Sequence, residues 1–242
     1  MYLLNAGRNR LLTVLPKGGA VAEIGVAMGG FAERIQTLAQ PDQLHLIDPW
    51  ELFHKTDLDT QRFGGQHKVV LEKFAADIES GRIIVYPSFS TEVASEFESE
   101  QLSWIYVDGA HDYDNVLADL RAFDPKIRAD GFILGHDFAK NSKNDLQGFG
   151  VVRAVRDFIA ETDWRLILLT QESAPTFMLA RAGNTTTLPQ IEQRLGKLPD
   201  GTVEEYPDEA LDSFMQTEET RPDGKRVFVV QLGVSEAEHS RD

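Results

Sequence analysis

Strand-like and helix-like segments alternate along most of this chain, and that alternation constrains the fold more than any other feature. Short apolar segments with the length of buried strands are followed by segments whose apolar residues recur at helical spacing. The strands are predicted at 20–24, 44–47, 82–86, 104–107 and 132–134, and two more follow closely at 165–170 and 176–180. The helices are predicted at 3–15, 31–38, 66–79, 90–97, 113–123 and 151–160.

This order of elements predicts an α/β fold, because alternating strands and helices form a parallel sheet that is covered on both faces. We expect a Rossmann-like, doubly wound sheet of seven strands, mostly parallel and with an antiparallel last strand. A length of 242 residues suits one such domain with an appendage. We therefore divide the chain into a ligand-binding domain at 1–182 and an acidic C-terminal extension at 183–242.

The C-terminal extension is acidic and rich in turn-forming residues. It holds 13 acidic and 6 basic residues, which gives a net charge of −7 within a chain whose formal net charge is −15. The segment 225–232 has high β-propensity and predicts one more strand. We expect the extension to add to the sheet edge, to cover a pocket, or to contact a partner.

Composition excludes several kinds of chemistry and partner. The chain has no cysteine, so disulfides, thiolate nucleophiles and cysteine-based zinc sites are excluded. We expect a cytoplasmic protein without a signal peptide or a membrane helix, because no basic stretch precedes an apolar run and no apolar run is long enough. The acidic surface repels phosphate backbones, so no nucleic acid is expected as a partner. A small-molecule or sugar acceptor is easier to reconcile with this charge, and a homo-oligomer is compatible with it.

A glycine turn follows the first of the alternating strands. In open α/β sheets ligands bind at the carboxyl ends of the strands, which is where Gly25 and Gly29 lie. Their G-x-x-x-G-G spacing departs from the dinucleotide fingerprint, and a tight turn without a ligand is the alternative interpretation. Glu23, inside the apolar strand, favours a ligand, because a carboxylate is costly to bury unless it meets a partner.

Asp48 ends the second alternating strand. An acidic residue at this position can accept both hydroxyls of a ribose, as it does in dinucleotide enzymes. The alternative is a helix N-cap, since Pro49 suits the first position of a helix.

Acidic and imidazole side chains follow the fourth and fifth alternating strands. Because adjacent parallel strands lie about 5 Å apart, we expect Asp108, His136 and Asp137 to converge, where they could hold a divalent cation. Such a site favours Mg²⁺ or Mn²⁺. His111, three residues after Asp108, is placed to take a proton near neutral pH. Ordinary loop caps and ion pairs are the alternative interpretation.

Five segments together resemble a known enzyme family. They are 23–31, 46–50, 106–113, 131–138 and 150–155. The chain resembles class I S-adenosylmethionine (SAM)-dependent methyltransferases over roughly residues 18–181. The most similar branch contains the macrocin-type and mycinamicin-type sugar O-methyltransferases and relatives of cephalosporin hydroxylase.

The resemblance implies roles for named residues. Glu23, Gly25 and Gly29 would line the methionine end of SAM together with Asp108, Asp48 would hold the ribose, and Phe89 and Ser90 would flank the adenine. Asp108, His136 and Asp137 would bind Mg²⁺ or Mn²⁺, and His111 would be the general base. Catechol-type enzymes have an Asp-Asn pair where this chain has His136-Asp137, which leaves the third ligand and metal use open.

The sequence thus predicts O-methylation of a hydroxyl on a small molecule or sugar, in which Asp108 and His111 take part in catalysis. Two alternatives stay open at this stage. One is a nicotinamide-dependent oxidoreductase, against which the glycine spacing counts. The other is a non-catalytic binding module of the same fold.

Overall fold

A computed structural model describes residues 1–50, 64–140, 148–221 and 223–233. Its centre is a nine-stranded sheet, and two further strands form a second sheet. The strands are β1 (Tyr2–Leu4), β2 (Ala20–Ile24), β3 (Gln43–Ile47), β4 (Ile83–Tyr86), β5 (Leu102–Val107), β6 (Ile127–Gly135), β7 (Trp164–Thr170), β8 (Phe177–Arg181), β9 (Val203–Glu205), β10 (Met215–Thr220) and β11 (Arg226–Gln231).

Helices cover both faces of the sheet. The α-helices are α1 (Arg8–Val14), α2 (Gly30–Arg34), α3 (Gln66–Lys73), α4 (Ala75–Glu79), α5 (Ser90–Val93), α6 (Tyr113–Phe123), α7 (Val151–Glu161) and α8 (Leu188–Leu195). Helix α2 continues into a π-helical turn over Ile35–Ala39. In the described part of the chain, no helix has the length and apolar character that crossing a bilayer would require.

The strand order is β4-β3-β2-β5-β6-β8-β7-β1-β9. Neighbouring strands from β4 to β6 run parallel, whereas β8 is antiparallel to both β6 and β7. The predicted Rossmann-like sheet of seven strands with an antiparallel last strand is confirmed by β2 to β8. Two short strands, β1 and β9, extend the sheet at one edge.

The prediction of a helix over 3–15 is wrong for its first residues. Residues Tyr2–Leu4 form β1, which pairs in parallel with Leu168–Thr170 of β7, and the helix covers only Arg8–Val14. The apolar pair Leu3 and Leu4 satisfies a helical pattern and a buried strand equally well. Pairing with a strand more than 160 residues away decided between the two.

The core lies in two layers, one on each face of the sheet. Successive side chains of a strand point to opposite faces, so Ile105 and Val107 belong to one layer while Trp104 and Tyr106 belong to the other. All four side chains are buried. Helices α6 and α7 cover the first layer, and α1 and α2 cover the second. The second layer is the one that lies beneath the glycine turn.

The C-terminal extension contributes to both layers. Ile191 and Leu195 of α8 are buried in the layer that contains α1, and β9 pairs with β1. The strand predicted at 225–232 forms as β11, but it pairs with β10 and not with the central sheet. Phe214, which precedes this hairpin, packs 5.0 Å from the ring of Phe138. The division at residue 182 stays a prediction, as does a pocket-covering or partner-binding role.

Candidate cofactor and reaction site

Backbone hydrogen bonds bring the carboxyl ends of four neighbouring strands to one edge of the sheet. The amide of Gly25 donates to Ile47 O at 2.9 Å, and the amide of Asp108 donates to Ile24 O at 2.8 Å. The amide of His136 donates to Val107 O at 2.9 Å. The glycine turn, Asp108 and His136 therefore meet at the same edge, where ligands bind in open α/β sheets.

The glycine turn is built for close backbone approach at Gly25. Its φ angle is +86°, and a Cβ atom there would lie 2.1 Å from the carbonyl oxygen of Asp108. Gly29 also has a positive φ angle, +69°, and a Cβ atom there would lie 2.7 Å from the ring of Phe74. Only glycine suits both positions, because a side chain would add steric overlap to an unfavourable backbone conformation.

Asp48 fixes this turn through its carboxylate. Oδ2 accepts hydrogen bonds from the amides of Val26 at 2.8 Å and Ala27 at 2.9 Å. Oδ1 accepts a hydrogen bond from the amide of Trp50 at 2.7 Å. A carboxylate has about four acceptor positions, so the structural bonds leave limited capacity for a ligand. The ribose-binding role stays a prediction, and Asp48 has an additional role in holding the turn.

Glu23 is a buried carboxyl group with an unsatisfied oxygen. Its side chain is 1% exposed, and its Oε2 atom has no hydrogen-bond partner among the described residues. Burial raises its pKa well above the usual range, the carboxylates of Asp108 and Asp48 add to this, and Arg8 opposes it. A buried unpaired acceptor is costly. A ligand with an ammonium group would satisfy it, so Glu23 and the bare backbone at Gly25 fit the methionine end of SAM.

Arg8, which lies 100 residues before Asp108 in the sequence, also contacts the site. Its Nη1 atom donates to Asp108 Oδ2 at 2.8 Å and lies 3.3 Å from the Tyr106 hydroxyl. Its guanidinium group stacks over the ring of Phe31, 4.3 Å from the centroid. Sequence reasoning missed this residue, because nothing in the spacing connects Arg8 with Asp108.

His111 and Asp137 form a close contact between an imidazole and a carboxylate. The Nδ1 atom of His111 lies 3.0 Å from Oδ2 of Asp137. The His111 ring stacks on Phe149 at a centroid distance of 4.7 Å, and its side chain is 39% exposed. Asp137 has a φ angle of +57°, which turns its carboxylate back toward the strand ends. The arrangement orients an accessible imidazole beside a largely buried carboxylate.

His136 lies between the two carboxylates of the site. Its Nδ1 atom is 3.5 Å from Asp108 Oδ1 and 3.4 Å from Asp137 Oδ2. Burial by itself lowers the pKa of His136, but the two carboxylates outweigh it and raise the value to about 9. Burial also opposes ionisation of Asp137, yet His136 holds the pKa of that carboxyl below its usual range.

The structure brings together the four residues predicted after β5 and β6, which are Asp108, His111, His136 and Asp137. Within the described residues, the compact group of potential metal ligands consists of Asp108, His111 and Asp137, whose ligand atoms all lie within 4.8 Å of one another. The ligand set implied by the family resemblance contains His136 in place of His111. The chemistry of two carboxylates and an imidazole fits Mg²⁺ or Mn²⁺.

The predicted adenine-flanking residues lie after β4. Phe89 is 41% exposed and precedes α5, which leaves its ring available to a ligand. The hydroxyl of Ser90 donates a hydrogen bond to the carboxylate of Asp119, which is buried and whose pKa burial raises to about 6. Sequence reasoning missed Asp119. The one feature of the sequence that could have indicated Asp119 is its place as an acidic residue in the apolar stripe of the predicted helix at 113–123.

Comparison with known proteins agrees with this geometry. A family model described as a methyltransferase domain matches residues 22–138, which contain the glycine turn, Asp48, Asp108 and His136. The matched residues, just under half of the chain, are similar to this family. Together with the strand order, the match indicates the class I, SAM-dependent type. A search of curated proteins gives no match.

Solved structures similar to this chain include three bacterial proteins. An N-methyltransferase, NodS, from Bradyrhizobium japonicum has a TM-score of 0.51 and 12% identity over 72% of this chain and 92% of its own. An rRNA methylase from Streptococcus thermophilus has a TM-score of 0.50 and 10% identity over 72% and 93%. A protein from Streptococcus mutans, assigned as a methyltransferase and solved with S-adenosylhomocysteine (SAH), has a TM-score of 0.51 and 12% identity over 72% of this chain and 94% of its own. At these identities the likeness extends to the fold alone.

Proposed function

We propose that this protein transfers the methyl group of SAM to a hydroxyl of a small molecule or sugar, with His111 as the general base. The observation that carries the proposal is the 3.0 Å contact between His111 Nδ1 and Asp137 Oδ2, at the edge where Asp108 meets the glycine turn. The formal net charge of −15 supports a small acceptor over a nucleic acid.

The cofactor residues support this proposal by their geometry. When bound, SAM supplies a methyl group on a positively charged sulfur. Gly25 lets the backbone approach the methionine end, and the unpaired oxygen of Glu23 accepts a hydrogen bond from its ammonium group. Asp108 lines the same end, Asp48 holds the ribose with its remaining acceptor capacity, and the exposed ring of Phe89 stacks on the adenine.

His111 acts through its two ring nitrogens. Nδ1 faces Asp137 Oδ2 at 3.0 Å, and a proton on Nδ1 would leave the lone pair of Nε2 to accept the proton of the acceptor hydroxyl. During methyl transfer the proton of the acceptor hydroxyl would pass to Nε2. Asp137 then stabilises the imidazolium, and the Phe149 ring limits rotation of the imidazole.

A divalent cation is a second element of the proposal. Asp108, His111 and Asp137 would hold Mg²⁺ or Mn²⁺, which would polarise the acceptor oxygen and lower its pKa. Arg8 and His136 already offer positive charge to the same carboxylates, so a cation would compete with them. A histidine nitrogen that binds a metal cannot accept a proton. Each ring nitrogen of His111 can therefore act either as a metal ligand or as the base, but not as both.

Calorimetry and a methyl-transfer assay together test the proposal. We expect the wild-type protein to bind SAH and not NAD, which also decides against the nicotinamide alternative. Labelled SAM and a panel of hydroxyl compounds, including sugars, should give methylated product. His111→Ala should reduce turnover at least about 100-fold while SAH affinity stays within twofold. An unchanged rate would remove His111 from the mechanism.

The same assay separates the metal from the base. Treatment with EDTA followed by titration of Mg²⁺ or Mn²⁺ should restore turnover if the cation is required. Full activity after EDTA would leave the His111–Asp137 pair as the source of proton transfer. SAH binding without methylation of any compound would instead favour the non-catalytic binding module.

A further inference from the structure

A cavity of about 550 Å³ lies beside the candidate reaction site. The start of α1, the helix α2 and the segment after β7 form its walls. Three of the side chains on these walls are arginines, and the walls include Arg8, Arg10, Arg34, Asn9, Phe31 and Glu172. Three arginines thus line one cavity in a chain whose formal net charge is −15.

Arg8 is held in place as a fixed part of this wall. Asp108 and Tyr106 accept hydrogen bonds from its guanidinium group, and the Phe31 ring packs against its face. An arginine held on two sides loses less side-chain entropy when it binds an anion. The bond to Asp108 also connects the cavity directly with the candidate reaction site.

Arg10 and Arg34 are exposed, and neither forms an ion pair with any described residue. The acidic residue on the wall, Glu172, accepts hydrogen bonds from neighbouring residues. Its Oε1 atom accepts hydrogen bonds from the amide of Arg8 at 2.9 Å and from the hydroxyl of Thr170 at 2.6 Å. Glu172 therefore fixes the start of α1, and the two arginines keep their donors for a ligand.

We propose that this cavity binds an anionic group of the methyl acceptor, either a phosphate or a carboxylate. The proposal deepens the proposed methyl-transfer function and rests on it. Guanidinium groups bind both kinds of anion with two parallel hydrogen bonds, and more than one of them can share a phosphate. The acceptor would place its anionic end between Arg10 and Arg34, and its hydroxyl beyond Arg8, toward His111.

The carboxylate of SAM itself is the other source of the same chemistry. The cavity walls contain none of the residues that the cofactor proposal uses, although Gly30 of the glycine turn borders the cavity. This separation favours the acceptor as the source of the anion.

Isothermal titration calorimetry at low ionic strength tests the assignment with pyrophosphate, citrate and SAH as probes. The variants are the double substitution Arg10→Gln with Arg34→Gln, and a matched control, Arg221→Gln, which removes an exposed arginine from the β10–β11 turn. All three arginines are exposed, so the variants are expected to fold, and circular dichroism checks this. We expect at least one anion to bind the wild type, and its Kd to rise at least tenfold in the double variant and less than twofold in the control.

The SAH titration distinguishes the two sources of the anion. SAH affinity should stay within twofold in every variant if the cavity serves the acceptor. A tenfold loss of SAH affinity in the double variant would assign the cavity to the cofactor and overturn the proposal. Anion binding that is undetectable in the wild type, or equal in the double variant, would overturn it as well. Wild-type protein that fails to bind SAH would instead contradict the proposed methyl-transfer function.

Discussion

His111 and Asp137 follow different strands of the sheet, and yet Nδ1 of the imidazole lies 3.0 Å from Oδ2 of the carboxylate. Because Asp137 has a left-handed backbone conformation, its carboxylate faces His111 and His136 at the same time. A carboxylate beside Nδ1 favours the tautomer with its proton on that nitrogen, and Nε2 can then take the proton of an acceptor hydroxyl.

Replacing Asp137 by Asn should therefore reduce turnover about 10- to 100-fold, because the amide can present the wrong partner to Nδ1 and cannot stabilise an imidazolium. SAH affinity should change less than twofold. Steady-state methyl transfer with calorimetry of SAH binding measures both quantities. Asp114→Asn is the matched control, since Asp114 is an exposed acid on the following helix. Equal rates for the two variants would remove Asp137 from proton transfer.

The glycine turn predicts a difference between two alanine substitutions. Gly25→Ala should lower the free energy of unfolding by at least about 1 to 2 kcal/mol from the positive φ angle alone, and its Cβ atom overlaps the Asp108 carbonyl. SAH affinity should fall at least tenfold. Gly30→Ala should be nearly neutral in stability, because no atom lies within 4 Å of the added Cβ. Urea unfolding and calorimetry check the prediction, and similar losses in both variants would contradict it.

Replacing Glu23 should have opposite effects on stability and on cofactor binding. Its pKa in the folded state is raised, so the contribution of Glu23 to stability is fully present below the ordinary carboxyl pKa and is lost as pH rises through the folded value. Glu23→Gln removes this titration, so its stability relative to wild type should increase from pH 5 to pH 8. SAH affinity should fall about tenfold, because a neutral amide holds an ammonium group less strongly. A variant that loses stability with rising pH as steeply as wild type would count against the prediction.

His45 predicts a stability change in the acid range. Burial lowers its pKa to about 4 in the folded protein, and its ring nitrogen Nδ1 lies 3.1 Å from the Tyr86 hydroxyl. The unfolded chain therefore binds a proton first, and stability falls as pH decreases from about 6.5 to about 4, by up to roughly 3 kcal/mol. His45→Gln should remove this loss. Urea unfolding of wild type and variant at pH 7 and pH 5 measures it as a difference, in which the titration of other groups cancels.

Much of the fold followed from local patterns. The seven strands β2 to β8 were recognisable because each is short, apolar and bounded by turn-forming residues, and helical periodicity separates most of them. The opening strand β1 was not, because Leu3 and Leu4 fit a helix equally well and their partner strand β7 is distant in sequence. The β10–β11 hairpin shows the same limit, since the β-propensity of 226–231 does not specify which strand it joins.

The candidate site was predictable where it depends on strand ends. Gly25, Asp108, His111, His136 and Asp137 were found from their positions after predicted strands, since parallel strands bring such positions to one edge. Glu23 was found as a carboxylate inside an apolar strand. Which of these side chains contact each other was decided by tertiary structure, through the turn at Asp137 and the stacking of His111 on Phe149. Arg8, Asp119 and the basic cavity depend on contacts between distant segments, which no local spacing encodes.

The sequence by itself determined the alternation of strands and helices, the glycine turn and the set of acidic and imidazole side chains near it, because these depend on residue type and short-range spacing. Only the tertiary structure decided that Arg8 neutralises Asp108, that Asp48 fastens the glycine turn, and that three arginines line one cavity. The contacts of Asp48 arise because β3 pairs with β2, and those of the arginines arise when α1 packs over the sheet beside α2, so both depend on the whole core.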